Sequence, residues 1–209
     1  MRRLIVLLGF LAGPLAAQLV PVPGASLLQA DIGPDHVYAE LVTNAAPGYA
    51  VGLQVFEFSG GAGERDLGAA TLAVNHLAWR SNTAESQANL YLSAGVGTLG
   101  FKDGDTLAGL SLAFQADWET RWLHAALMGH GVAGDRVAQG ELKTHLGFAP
   151  WLASYDAVAP WILLEVSRVV GREAETEVAP VLVLMYKAYR LEAGVTSDGH
   201  PRAAFRWLF

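Results

Sequence analysis

From residue 48 onward the chain alternates apolar and polar positions with a period of two. Ala88, Leu90, Leu92, Ala94 and Val96 alternate with Gln87, Asn89, Tyr91 and Ser93. Ala108, Leu110, Leu112, Phe114 and Ala116 alternate likewise with Ser111, Gln115 and Asp117. This is the period of a strand with one apolar face. The pattern predicts ten strands, at 48–58, 68–79, 86–98, 106–117, 120–130, 138–148, 159–170, 176–186, 188–196 and 202–209. Turn formers separate many of them: Ser59-Gly60-Gly61-Ala62-Gly63, Lys102-Asp103-Gly104-Asp105, Gly134-Asp135 and Asp198-Gly199. Each strand is close to the ~9–11 residues that a tilted membrane-crossing strand needs. Residues 18–47 are punctuated by Pro and Gly and predict no element by themselves. If 36–43 is a strand, an even count requires one more, at 26–32, and the total becomes twelve. There is no helical period of useful length and no internal repeat.

Composition decides what the apolar faces meet. Apolar residues make up 52% of the chain and charged residues only 16%. Soluble domains run near roughly a quarter charged, so surface is being hidden from water. No stretch after residue 17 reaches the ~18 apolar residues of a spanning helix, so the hidden surface belongs to strands. A soluble sandwich buries its apolar face, whereas a barrel in lipid turns that face outward and keeps a polar lumen. Lipid cannot satisfy an open sheet edge, so such a sheet must close. The expected fold is an all-β, closed antiparallel transmembrane β-barrel of ten strands, with twelve as the alternative. The absence of Cys excludes disulfides and thiolate chemistry. A net charge of -6 argues against nucleic acid as a partner.

Both termini carry targeting features. Arg2 and Arg3 precede an apolar run over 4–15, then Ala16-Ala17 and Gln18. That is a charged region, a short apolar region and a small-residue cleavage site, so residues 1–17 read as a signal peptide for Sec-type export. The expected division is 1–17 signal peptide, 18–47 a segment of unassigned structure, and 48–209 the barrel. At the other end Ala203, Phe205, Trp207 and Phe209 alternate with Arg202, Ala204, Arg206 and Leu208. This terminus resembles the last strand of Gram-negative outer-membrane β-barrels, which typically end on Phe. The resemblance covers the targeting segment, the strand pattern and the terminus. It implies a monomer in the cell outer membrane, among its lipids, delivered by the barrel assembly machinery through Phe205, Trp207 and Phe209. It implies no particular activity, because that class includes pores, adhesins, structural proteins and enzymes. Asp117-Trp118-Glu119-Thr120-Arg121 and Gly147-Phe148-Ala149-Pro150 also resemble segments of small barrels linked with heavy-metal or copper handling. Trp79, Trp118, Trp122, Trp151, Trp161 and Trp207 mostly fall near predicted strand ends, as aromatic girdles do.

The richest chemistry lies between Thr120 and Phe148. Leu123, Ala125 and Leu127 point outward, as do Leu142, Thr144 and Leu146. Trp122, His124, Met128, His130, Gln139, Glu141, Lys143, His145 and Gly147 then point inward. A two-residue turn at Gly134-Asp135 would set His124 opposite His145, Met128 opposite Glu141, His130 opposite Gln139, and Trp122 over Gly147. Opposed Cβ atoms lie about 4.5–5.5 Å apart, so two imidazoles there could share a copper or zinc ion. His130 sits about 20 Å, and Met128 about 13 Å, along the strand from His124, so each could serve only a separate contact. Against a metal stands the ordinary filling of small barrels by mutually bonded polar side chains. Metal sites also usually take three or four ligands.

A second cluster is charged. Parity points Glu165, Arg190, Glu192, Arg202 and Arg206 inward, and a turn around Gly199 would set Glu192 opposite Arg206. Such charges form either a solute-selecting eyelet or a salt-bridged plug. For enzymatic chemistry there are Ser111, Ser167 and Ser197, and His200 beside Asp198, without the spacing of a known motif. The expected function is passage or binding of small solutes, metal ions among them. A non-transporting structural or adhesion barrel is the alternative, and a lipid-modifying enzyme comes third. The short turns at Gly134-Asp135 and 197–201 count against adhesion.

Overall fold

The computed structural model describes residues 19–20, 22–60, 66–101, 104, 106–135, 137–154, 156–171 and 176–209. The expected signal peptide lies outside the described residues. The strands are β1 (Ser26–Ile32), β2 (His36–Ala46), β3 (Tyr49–Phe58), β4 (Leu67–Asn82), β5 (Ser86–Phe101) and β6 (Thr106–Thr120). They continue as β7 (Leu123–Gly134), β8 (Ala138–Phe148), β9 (Ala159–Val170), β10 (Thr176–Tyr186), β11 (Tyr189–Val195) and β12 (Pro201–Leu208). Each strand pairs antiparallel with its sequence neighbours, and β1 pairs with β12 to close the barrel.

Twelve strands replace the ten of the main expectation, in the arrangement named as its alternative. The two added strands lie in the Pro- and Gly-punctuated stretch. Pro34 stands in the β1–β2 turn rather than in a strand, so it interrupts no ladder. In β1, Leu27 and Leu28 blur the alternation. Thr120 also ends β6 rather than starting β7.

The alternation does what a lipid solvent requires. Leu110 and Leu112 are 53% and 63% exposed, while Ser111 between them is 1% exposed. Asn89, Tyr91 and Ser93 are buried inside, while Leu92 and Val96 face out. A sheet with leucine and valine outside and hydrogen-bonding groups inside is built for hydrocarbon around it.

The two ends differ. The end carrying Ser26 and Phe209 is here the near end, the opposite one the far end. Trp79, Trp118, Trp122, Trp151, Tyr49, Tyr186 and Tyr189 are all exposed at the near end. Trp161 departs from this belt and faces the lumen. No outward aromatic side chain stands at the far end among the described strand residues. The seam is tied at the near end. The Ser26 amide donates to the Phe209 carbonyl at 2.7 Å, and the Phe209 amide returns a bond to Ser26 at 2.9 Å. The Phe209 ring lies 4.3 Å from that of Trp207, which stacks in turn on Tyr189.

Two outcomes check this architecture. Deleting Phe209 removes both seam bonds and should leave the protein without the heat-modifiable gel mobility of a folded barrel. Leu182→Arg, outward at the middle of β10, should cost about 2–4 kcal/mol of unfolding free energy in bilayers, against roughly 0–1 for Val195→Arg at the far rim. Equal costs at the two depths would contradict the placement.

Candidate functional site

The lumen is the candidate site, because parity delivers nearly every buried polar group to it. Three side-chain networks fill its middle. In the first, Glu40 of β2 is the hub. It accepts from Gln29 at 2.5 Å, Gln54 at 2.9 Å and Asn75 at 2.8 Å, joining β1 through β4. Ser111 of β6 donates to the Gln54 carbonyl oxygen at 3.1 Å and lies 2.9 Å from the Thr71 hydroxyl. In the second, β4 runs beyond the start of β3 and so carries Arg80 to the near end. Arg80 donates to Asn89 at 2.6 Å and to the Tyr91 hydroxyl at 2.9 Å. Asn89 and Gln115 each donate to Asp117, at 2.7 and 2.9 Å.

The third network is ionic. Lys143 of β8 lies 2.7 Å from Asp31 of β1 and 3.3 Å from Glu141. Arg202 of β12 pairs with both Asp31 and Glu165 of β9. Glu165 also meets His145 Nε2 at 2.5 Å. At its far-end side, His36 Nε2 and His130 Nε2 approach Glu141 Oε2 at 3.3 and 3.7 Å. Arg190 donates to Glu192 at 2.8 Å. Charges this deep survive only when paired, because desolvating a lone one costs several kcal/mol, roughly.

Apolar clusters pack inside both ends. Tyr38, Phe56, Phe58, Leu67, Leu99 and Val132 pack together at the far end. Leu19, Val20, Leu27, Val42, Ala50 and Tyr91 pack at the near end. There the Leu19 carbonyl accepts from Asn75 at 3.0 Å. Between them remains a cavity of about 70 Å³, walled by Gln29, Tyr38, Met128, Lys143, Glu192 and Arg206 among others.

The structure corrects two registers. Gly134 N donates to the Val137 carbonyl at 2.8 Å, so the β7–β8 hairpin reverses one residue later than the Gly134-Asp135 turn would have it. His124 therefore opposes Gly147, His145 opposes Ala126, Met128 opposes Lys143 and His130 opposes Glu141. The shift is two residues, which keeps every face and changes every partner. His124 and His145 remain diagonal neighbours, with ring centroids 6.4 Å apart. They lean on different carboxylates, however: His124 Nδ1 is 3.9 Å from Glu119, and His145 is held by Glu165. Among the described residues, no group of three or more His, Asp or Glu is arranged to hold a metal ion. Trp122 stands exposed in the β6–β7 turn and does not cover Gly147.

The β11–β12 pairing shifts in the same way. Thr196 N donates to the His200 carbonyl at 2.8 Å, so the reversal is centred on Asp198, one residue earlier than a turn centred on Gly199. Glu192 opposes Ala204, and Arg190 opposes Arg206. Ser111 is committed to the Glu40 network, while Ser197 and His200 are exposed. The His200 amide donates to Thr196 Oγ1 at 3.1 Å, which serves the turn. Sequence reasoning missed Asp31, His36 and Glu40, which lie in the stretch without assigned strands. Their signal was the alternation of His36, Tyr38 and Glu40 with Val37, Ala39 and Leu41.

No protein-family model and no curated protein matches the chain. Among solved structures, the KdgM porin in complex with disordered oligogalacturonate superimposes with a TM-score of 0.48 at 9% identity, covering 88% of this chain and 98% of that one. A second KdgM porin structure gives 0.46 at 11% identity, with the same 88% and 98% coverage. LpxR from Salmonella typhimurium gives 0.49 at 7% identity, covering 88% of this chain and 100% of that one. What is similar is the barrel architecture.

The Glu40 hub yields a measurable outcome. Glu40→Ala takes one acceptor from each of Gln29, Gln54 and Asn75, the last two keeping Ser93 and the Leu19 carbonyl, so the barrel should lose about 1–3 kcal/mol or more. Glu57→Ala, on the outward face at the far end of β3, should leave the urea midpoint unchanged.

Proposed function

We propose that this chain is an outer-membrane β-barrel of a Gram-negative bacterium, with the near end periplasmic, whose lumen binds small ions or water-sized polar solutes and denies them free passage. The near-end turns β2–β3, β6–β7 and β10–β11 span two residues each, shorter than any far-end connection, and that asymmetry supports this orientation. One observation carries the reading. The middle of the lumen is crowded with charged and amide groups around a cavity of only about 70 Å³, with apolar clusters packed inside both ends. An aqueous pore needs far more room than that.

The polar chamber accounts for solute binding, and the ion pairs account for closure. Lys143 and Arg202 hold Asp31 and Glu165 across the lumen, so moving solute means separating those pairs. A second reading, a barrel with a purely structural lumen, is favoured by the mutual pairing of Asp31, Glu165, Lys143 and Arg202.

Conductance separates the two. The wild-type barrel in planar bilayers should show no steady ionic current. A Lys143→Ala, Arg202→Ala double variant should show discrete openings, because two carboxylates are left to hydrate. A steady open-pore current in the wild type would overturn the closed lumen. Silence in both proteins would favour the structural reading.

A further inference from the structure

The outward wall carries a broad, open hollow over β4–β9. Cross-strand pairing lines up Val74, Ala94, Leu112, Gly131, Gly140 and Val170 in a single row over β4–β9. On the far-end side of that row, Leu110 is followed by Ala133 and Ala138. Where Gly131, Gly140, Ala133 and Ala138 meet, the wall sinks. Phe114, Leu110 and Leu142 stand around it, leaving a hollow of about 900 Å³. That is within the range of roughly 300–1,000 Å³ typical of small-molecule sites.

The hollow is a permanent feature of the wall. A Cβ at Gly131 would come within 2.8 Å of the Gln139 carbonyl oxygen, and one at Gly140 within 2.5 Å of the His130 carbonyl oxygen. β7 and β8 approach so closely here that only glycine fits at these two positions, so no side chain at 131 or 140 fills the gap.

Arg168 stands directly opposite Leu142, on the same outward face and two residues before the far end of β9. Among the described strand residues it is the outward-facing cation, and its side chain makes no hydrogen bond or ion pair with a described residue. A guanidinium on the outward wall, two residues from the far end of its strand, matches a phosphate in bidentate fashion. Its stem can lie along apolar surface while its head reaches the interface.

We propose that the hollow and Arg168 form a site for one phosphorylated glycolipid of the outer leaflet, of lipid A type, with an acyl chain in the hollow and a phosphate on the guanidinium. The assignment rests on the outer-membrane orientation proposed above, which puts the far end at the outer leaflet. The charge selects an anionic lipid, and the fixed, apolar hollow selects its chain. The near-end belt of Trp and Tyr has no counterpart at this end, so Arg168 anchors a leaflet that aromatic residues do not.

Native mass spectrometry of the folded barrel with bis-phosphorylated lipid A tests this. The wild type should retain one lipid per barrel. Arg168→Gln should weaken retention by about tenfold or more, the loss expected for one charged hydrogen-bonded contact. Ala133→Leu, which fills the hollow while keeping Arg168, should weaken it comparably. Dephosphorylated lipid A should bind the wild type as poorly as the intact lipid binds the Arg168 variant. Equal retention by all three proteins overturns the site, as does equal retention of phosphatidylglycerol, which would make it a general anionic-lipid contact. If the proteins are heat-modifiable barrels and these patterns fail, only the lipid site is wrong. If none inserts as a heat-modifiable barrel, the membrane reading falls with it.

Discussion

Everything in this molecule depends on closing the sheet. A strand edge in hydrocarbon leaves a row of amides and carbonyls without partners, and no side chain can compensate for them. β12 must therefore return to β1, and the two pair along their length from Leu27–Leu208 to Ile32–Ala203, with backbone bonds between Ser26 and Phe209 extending the ladder at the near end. Once the ring is complete, every strand has two neighbours and every side chain has one of two fates, outward to lipid or inward to the lumen.

Closure creates the second constraint. Inward positions of twelve strands converge on a narrow interior that water barely enters, so the polar groups there must satisfy one another. They do so across strands remote in sequence: Asp31 of β1 with Lys143 of β8, Arg202 of β12 with Glu165 of β9, Gln54 of β3 with Ser111 of β6. Such contacts span the ring rather than follow its wall, and they bind opposite sides together. The same desolvation that makes an unpaired charge costly makes these partners interdependent. The apolar clusters at the two ends isolate this polar middle and keep its pairs strong.

The exterior is as unequal as the interior is balanced. The near end is belted with Trp and Tyr, whose rings suit a headgroup boundary. The far end has valine, alanine and glycine, with Arg168 as its outward cation. A barrel set between two chemically different leaflets meets different solvents at its two rims. The hollow over Gly131 and Gly140 has a structural origin, the close approach of β7 and β8. The proposed site adds to it the Arg168 guanidinium, which pairs with no described residue.

The sequence by itself determined the strand period, the outward and inward face of nearly every strand, and the inward place of Glu165, Arg190, Glu192, Arg202 and His145. Period two is a local property of the chain and is written in it directly. The tertiary structure decided who meets whom. A two-residue slip in a turn leaves every side chain on its own face, so parity cannot detect it. That is why His124 could be set against His145, and Glu192 against Arg206, without any conflict in pattern. Pairing across the lumen is further from sequence still, since Arg202 reaches Asp31 and Glu165 only after twelve strands have curved the sheet into a ring. β1 and β2 were legible only as an alternative, because they lie in a Pro- and Gly-punctuated stretch where Leu27 and Leu28 blur the alternation, and evenness of count matters only once closure is required. The hollow beside Arg168 was illegible for the same reason: it is a row perpendicular to the chain, assembled from single residues of six strands.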